Sequence, residues 1–311
     1  MVGWKRAFST ALPAFLALTV LSAGPSLAAD VATPGTASQI SALVSASTKQ
    51  TVLSGDQLSR VVASAADLVE YHDAHGMSGC STVTSCVLGD PSANQTVVLF
   101  GDSHALMWAP PLDALGKAHS FKVVLLWLGR CPVASLRVFA PKYSFPKLCD
   151  AFRSVELQRI VALKPALIVL AELTSGVAKP GGGTYTSAKE WSSALVTSLT
   201  TLKQAKAPLV ILEDGPTFKL SVPVCLSQHP RAVQRCAQRQ NGSPLYLAER
   251  SAAALTGVTS VPTRKWLCAA TCSPVIGSFL PYQDTNHLTA TYSRFLTTVL
   301  GDALVPLIST P

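Results

Sequence analysis

Charge is scarce in this sequence: 14% of its 311 residues are Asp, Glu, Lys or Arg, and aromatic residues make up 7%. With 48% hydrophobic residues and a mean hydropathy of +0.34, the chain has ample apolar material for a core, which excludes disordered and fibrous classes. No run of five bases occurs, so the formal net charge of +8 is scattered and no nucleic-acid partner is expected. No Cys-x-x-Cys pair is present, which removes the usual redox and zinc spacings. His72 and His75 have no further ligands at a matching spacing, so they read as a solvated helix end, and no metal or cofactor is expected. No apolar run reaches the roughly 18 to 20 residues that cross a bilayer. Gly-x-Ser-x-Gly is also absent, which disfavours a lipase-like elbow.

What is present begins with Lys5 and Arg6, an apolar stretch from about Ala11 to Leu21, and Ser26-Leu27-Ala28-Ala29 before Asp30. That pattern reads as a secretory signal peptide over residues 1–29, or as a short membrane anchor if uncleaved. Export turns the eight cysteines into an expected disulfide framework. Proximity in sequence favours Cys80 with Cys86, Cys131 with Cys149, Cys225 with Cys236, and Cys268 with Cys272. A basic, exported chain suits an anionic envelope surface.

Residues 30–95 read as a lead-in with helical stretches near Ser38 to Ser47 and Gln57 to His72, then a Cys-containing segment. From residue 96 to 311 the texture changes. Apolar runs at Thr96 to Phe100, Lys122 to Trp127, Ala166 to Ala171, Pro208 to Glu213 and Val258 to Val261 predict strands. Amphipathic stretches at Ala105 to Ala118, Asp150 to Leu163, Ala188 to Ala205 and Leu288 to Leu304 predict helices. Near-continuous apolar strands alternating with helices specify an α/β fold with a central parallel sheet covered on both faces. Catalytic residues are then expected just beyond Phe100, Trp127 and Ala171, in the crevice at the carboxyl ends of the strands.

Gly101-Asp102-Ser103-His104 occupies the first of those places. There a serine hydroxyl faces the crevice, while a helix N-terminus supplies N–H groups for a developing oxyanion. Serine needs a base, and Asp284-Thr285-Asn286-His287 supplies a candidate 184 residues downstream of Ser103. The spacing lets Asp284 reach Nδ1 of His287 while Nε2 faces Ser103. Adjacent side chains at a helix start diverge, so His104 is expected as a rim or substrate contact rather than the base, and Asp102 as a cap.

At these residues the chain resembles the SGNH (GDSL-like) hydrolases. More narrowly, it is similar to the extracytoplasmic SGNH domain of acyltransferase-3/SGNH glycan O-acyltransferases. The likeness rests on Gly101 to His104, Gly129-Arg130-Cys131-Pro132 and Asp284 to Thr289, over about residues 80–304. It implies a three-layer α/β/α, flavodoxin-like SGNH fold and acyl transfer or ester hydrolysis on carbohydrate. Ser103 would be nucleophile, His287 base and Asp284 its orienter. Ser103 and Gly129 would supply oxyanion N–H groups, with His104, Arg130 and Asn286 as substrate contacts. The family's Gly-x-Asn-Asp block is missing after the third strand, where Ala171-Glu172-Leu173-Thr174 stands, so backbone donors alone or Arg130 would complete the hole. Glu172 is expected as a strand-end residue without a catalytic role. The implied partners are an acylated envelope polysaccharide as substrate and, since fused relatives carry one, a separate membrane acyltransferase as acyl donor. A carbohydrate esterase is the companion reading. A glycan-binding module, with Trp108, Trp127 and Tyr282 stacking on sugars, and a lipase-like carboxylesterase are the alternatives.

Overall fold

The computed structural model describes residues 33–75, 86–139, 145–239 and 245–308. The signal-peptide expectation for residues 1–29 and the Cys80 half of the first disulfide lie outside them. Among the described residues no helix is long and apolar enough to cross a membrane.

Six strands form the main sheet: β1 (Cys86–Gly89), β2 (Gln95–Gly101), β3 (Phe121–Trp127), β4 (Leu167–Ala171), β5 (Leu209–Leu212) and β7 (Thr259–Val261). Their order is β1-β3-β2-β4-β5-β7, and every pairing is parallel except that of β1 with β3. A two-stranded ribbon pairs β6 (Gln238–Arg239) with β8 (Thr271–Cys272). The helices are α1 (Ala37–Ser47), α2 (Gly55–Arg60), α3 (Asp67–Ala74), α4 (Ser103–Leu106), α5 (Ala109–His119), α6 (Phe145–Leu163), α7 (Ala188–Leu202), α8 (Val222–Gln228), α9 (Leu245–Thr256), α10 (Ala290–Phe295) and α11 (Thr297–Leu304).

Because strand side chains alternate, each strand feeds two cores. Val97, Leu99, Val123, Leu125, Val169 and Val210 pack with α5, α10 and α11 on one face. Val98, Phe100, Val124, Leu126, Ile168 and Ile211 pack with α6, α7 and α9 on the other. The result is a three-layer α/β/α sandwich. Ile40, Val44, Leu68 and Tyr71 of the lead-in join the first core, and residues 86–89 add an edge strand to the sheet, so Val31–Pro311 clusters as one compact unit.

Three expected helices are divided. The stretch from Ala105 to Ala118 breaks after Leu106 because Pro110 and Pro111 have no N–H to give to a preceding turn and instead occupy the first turn of α5. The final helix starts at Ala290, capped by the Thr289 hydroxyl, and is interrupted at Leu296. The lead-in stretch from Gln57 to His72 is likewise divided between α2, a 3-10 turn and α3. His72, expected to be solvated, is 8% exposed.

Candidate active site

The site is built at the end of β2. A Cβ on Gly101 would overlap the Ala171 carbonyl oxygen, so only glycine lets β2 and β4 stay paired where the chain leaves the sheet. Asp102 follows as the N-cap of α4, accepting hydrogen bonds from the His104 N–H (2.8 Å) and the Leu173 N–H (2.9 Å). Ser103 is therefore the first residue of a helix at the carboxyl edge of the sheet. The helix after β2 covers one face and the helix after β3 the other, so this edge is the topological switch point where such sheets hold their ligands.

His287 reaches Ser103 from the loop before α10. Its Nε2 lies 2.8 Å from Ser103 Oγ and its Nδ1 lies 2.7 Å from Asp284 Oδ2. The neutral tautomer that fits donates Nδ1–H to Asp284 and accepts the serine O–H at Nε2. Asp284 Oδ1 accepts the N–H groups of Asn286 (2.9 Å) and His287 (2.8 Å). Burial alone would raise the Asp284 carboxyl, but the ring N–H, the electrostatic pull of the imidazole and these amides hold it below its ordinary value. The loop itself is anchored. Phe218 N–H donates to the Thr285 carbonyl (2.7 Å), and Val222 N–H to that of Asp284 (3.0 Å). A hydroxyl so placed can pass its proton to an imidazole as it attacks a carbonyl carbon.

Gly129 lies beside this array. Leu128 N–H donates to the Gly101 carbonyl (3.2 Å), extending the β2–β3 ladder by one residue, and Cys131 N–H closes a tight turn onto Leu128 (3.0 Å). Among the described residues the N–H groups of Ser103 and Gly129 have no hydrogen-bond partner. The third loop is different: Leu173 N–H is spent on Asp102, and Thr174 gives its N–H and hydroxyl to Asp214, each at 2.8 Å. Arg130 is exposed at the turn, and Asn286 is half-buried beside His287.

His104 departs from expectation. It is 1% exposed and cannot form a rim; Nδ1 lies 2.7 Å from Oδ1 of Asp214, and its ring meets that of His287 edge-on at 5.1 Å. The reason is tertiary, since Asp214 follows β5 and offers a buried carboxylate that sequence spacing did not connect with α4. Burial opposes charging the imidazole, yet Asp214 outweighs it and His104 is raised to about 9, while Asp214 is lowered despite its own burial. A row of buried acids continues beneath the crevice. Glu172, raised by burial to about 7, accepts the Ala134 N–H and Trp191 Nε1–H, each at 2.8 Å. Glu249, pushed well up by burial and neighbouring carboxylates, accepts the Asp214 N–H at 2.7 Å. These acids tie the crevice loops to one another. The signal was there: Glu213-Asp214 directly follows an apolar strand, the same position that singled out Ser103.

The disulfides Cys131–Cys149, Cys225–Cys236 and Cys268–Cys272 are formed, and Cys86 is also disulfide-bonded. Cys131–Cys149 fastens the loop carrying Gly129 to α6. Trp108 and Tyr282 are 1% and 0% exposed, which removes them as sugar-stacking platforms and leaves Trp127 half-buried. Among the described residues no group of His, Cys, Asp and Glu side chains could hold a metal ion.

Comparison with known proteins agrees with this architecture. Residues 70–302 match the family described as the SGNH domain (fused to AT3 domains). No curated protein matches the chain. Among solved structures, the periplasmic domain of a lipopolysaccharide acetyltransferase from Salmonella ser. Paratyphi A is similar at a TM-score of 0.60 and 16% identity, covering 78% of this chain and 97% of that one. A carbohydrate acetylesterase from Sinorhizobium meliloti is similar at 0.44 and 13%, covering 69% and 100% respectively.

Proposed function

Because the chain belongs to the family of SGNH domains fused to AT3 domains, we propose that it is an extracytoplasmic acyl-ester enzyme using Ser103, His287 and Asp284 on short O-acyl groups of envelope carbohydrate. The observation that carries the reading is the unbroken chain of two hydrogen bonds, 2.8 Å and 2.7 Å, from serine through imidazole to carboxylate at the switch point. In this mechanism Ser103 Oγ bonds to the acyl carbon as His287 Nε2 takes the hydroxyl proton. Asp284 stabilises the imidazolium that forms. The free N–H groups of Ser103 and Gly129 receive the oxyanion. His287 then returns the proton to the departing oxygen, leaving an acyl-serine. Attack on the acyl carbon by a second hydroxyl, whose proton His287 takes and then gives to Ser103 Oγ as the acyl–Oγ bond breaks, regenerates the free serine.

Water as that second hydroxyl makes the enzyme an esterase; a sugar makes it an O-acyltransferase, supplied by a membrane acyltransferase. The disulfides support an oxidising, extracytoplasmic compartment. Small and polar residues in the segments 101–105, 129–132 and 171–176 favour a short acyl group such as acetyl or succinyl. Purified protein incubated with acetylated polysaccharide, with and without a sugar acceptor, tests the direction. Free acetate alone means esterase, and acylated acceptor means transferase. Faster cleavage of p-nitrophenyl esters of eight or more carbons than of acetate refutes the short-acyl assignment. If Ser103 also resists a fluorophosphonate probe, the nucleophile assignment fails.

A further inference from the structure

Charge is sorted at the catalytic edge of the sheet. The loops leaving β2, β4 and β5 carry four acids other than Asp284, and all face inward: Asp102 is 0% exposed, Glu172 2%, Glu213 2% and Asp214 3%. Each has its oxygens occupied; Glu213, for example, accepts Arg250 Nε (2.9 Å) and the Ser260 hydroxyl (2.6 Å). Two bases of the same edge face outward, whereas Arg264, after β7, is buried against the Asp214 and Gly215 carbonyls. Arg130, after β3, and Lys219, after β5, are both exposed, and neither is paired with a carboxylate among the described residues.

Both cations follow segments that backbone hydrogen bonds tie to the stretches carrying Ser103 and Asp284. Arg130 follows Gly129, which the Leu128-to-Gly101 hydrogen bond sets beside the stem of Ser103. Lys219 follows Phe218, whose N–H is bonded to Thr285, next to Asp284. Since β3 and β5 lie on opposite sides of β2, the two bases bracket the serine. Arg130 also has φ +64°, at the third position of a turn that favours glycine. A non-glycine residue there costs about 1 kcal/mol or more, which makes the guanidinium at this point a choice against local stability. With Asp284 engaged by His287, a substrate meets two cations that are unpaired among the described residues, around a neutral nucleophile. A guanidinium fork matches a carboxylate or phosphate bidentately.

We propose that the carbohydrate substrate is anionic, with a carboxylate or phosphate close to the reacting ester, and that Arg130, assisted by Lys219, binds that anion. The inference rests on the acyl-ester reading above and narrows its substrate class. Since the whole chain is basic, the test must separate the site from bulk charge. The double variant Arg130→Gln/Lys219→Gln is compared with Lys164→Gln/Lys206→Gln, which removes the same charge from the loops entering β4 and β5 at the opposite edge. Deacetylation and, in a Ser103→Ala background, binding by affinity electrophoresis are measured on acetylated polygalacturonate, acetylated poly(glycerol phosphate) and neutral acetyl xylan.

The expected result is at least tenfold weaker binding and lower kcat/KM on one of the anionic polymers for the Arg130/Lys219 variant, a smaller loss on xylan, and less than a twofold change for the control pair. Which anionic polymer responds identifies the carboxylate or the phosphate. Equal losses in the two double variants, or no preference of the unmodified site for either anionic polymer over xylan, overturns the proposal. Fluorophosphonate labelling separates the two readings: a labelled Ser103 with no anion preference refutes this inference alone, whereas an unlabelled Ser103 refutes the acyl-enzyme reading.

Discussion

Raising the pH past 9 should remove the contribution of the His104–Asp214 pair to the fold, and the size of that loss follows from the structure. In the unfolded chain His104 titrates near 6.5; in the fold, burial disfavours the charge but Asp214 more than compensates, and the ring is held up to about 9. At 1.36 kcal/mol per pH unit this displacement corresponds to about 3 kcal/mol. With 1% exposure the ring is shielded from solvent, so little of that is lost to screening. A basic group whose value is raised on folding contributes in full below its unfolded value, and the contribution is lost as the pH climbs through the folded one. Asp214, lowered in the fold, loses its share only at acidic pH. Between pH 7, where His104 of the unfolded chain is already mostly neutral, and pH 10 the protein should therefore lose about 2 to 3 kcal/mol, or about 4 °C of Tm for a domain of this size. Urea unfolding followed by circular dichroism across that range measures it. Lysines and tyrosines titrate there too, so the informative quantity is the difference from His104→Gln. The glutamine can still donate to Asp214 but carries no charge; at pH 7 the variant should be about 3 to 5 kcal/mol less stable, because a buried carboxylate loses its cation. Its curve should be flatter than the parent's up to pH 9.5. Parallel curves, or a cost under about 1 kcal/mol at pH 7, would refute the assignment of a buried charged pair.

Three further expectations concern the site and its frame. Ser103→Ala and His287→Ala should each lower turnover of a chromogenic acetyl ester by about 10³-fold or more, and the double variant should be scarcely worse, because such residues act as one unit; Asp284→Asn should retain a small residual rate. Full activity in His287→Ala would remove it as the base. Glu249→Gln should leave the Tm unchanged or slightly higher at pH 7, since a carboxyl pushed well up by burial is already neutral there; a fall of more than about 5 °C would mean it is ionised in the fold. Replacing Cys131 and Cys149 by serine should cost about 3 kcal/mol in thermal or urea unfolding, and the intact parent mass should be eight hydrogens below that of the reduced chain; a stable free thiol contradicts the disulfide framework.

Sequence alone determined the elements whose causes are local. The five strands read from apolar runs appear within about two residues of their expected ends, because a strand covered on both faces must be apolar at every position and then stop. The placing of Ser103 follows from the same logic, since a strand running into Gly-Asp-Ser and then a helix puts the serine at the carboxyl edge. Asp284 and His287 were legible because three residues separate an acid from an imidazole it can orient. The breaks in the first and last helices were less accessible. Pro110-Pro111 signalled the first, but Leu296 carries no such mark.

Only the tertiary structure decided where the remaining polar groups went. His104 adjoins Ser103 in sequence, yet it turns away from the crevice because β5 brings Asp214 beneath α4, a meeting of residues 110 positions apart. Edge strand β1 had no periodicity of its own to reveal it; four residues form a strand only because β3 offers them a partner. The lead-in helices belong to the same compact unit as Ser103 because the first core needed Ile40, Val44 and Leu68 to complete it. The proposed cationic mouth is likewise a matter of direction rather than composition. The same loops contain more acids than unpaired bases, and it is the folding of Asp102, Glu172, Glu213 and Asp214 into hydrogen bonds inside that leaves Arg130 and Lys219 to face the solvent. Local pattern fixes which segments become strand or helix; which buried group meets which depends on contacts between segments far apart in the chain, and these form only when the layers close.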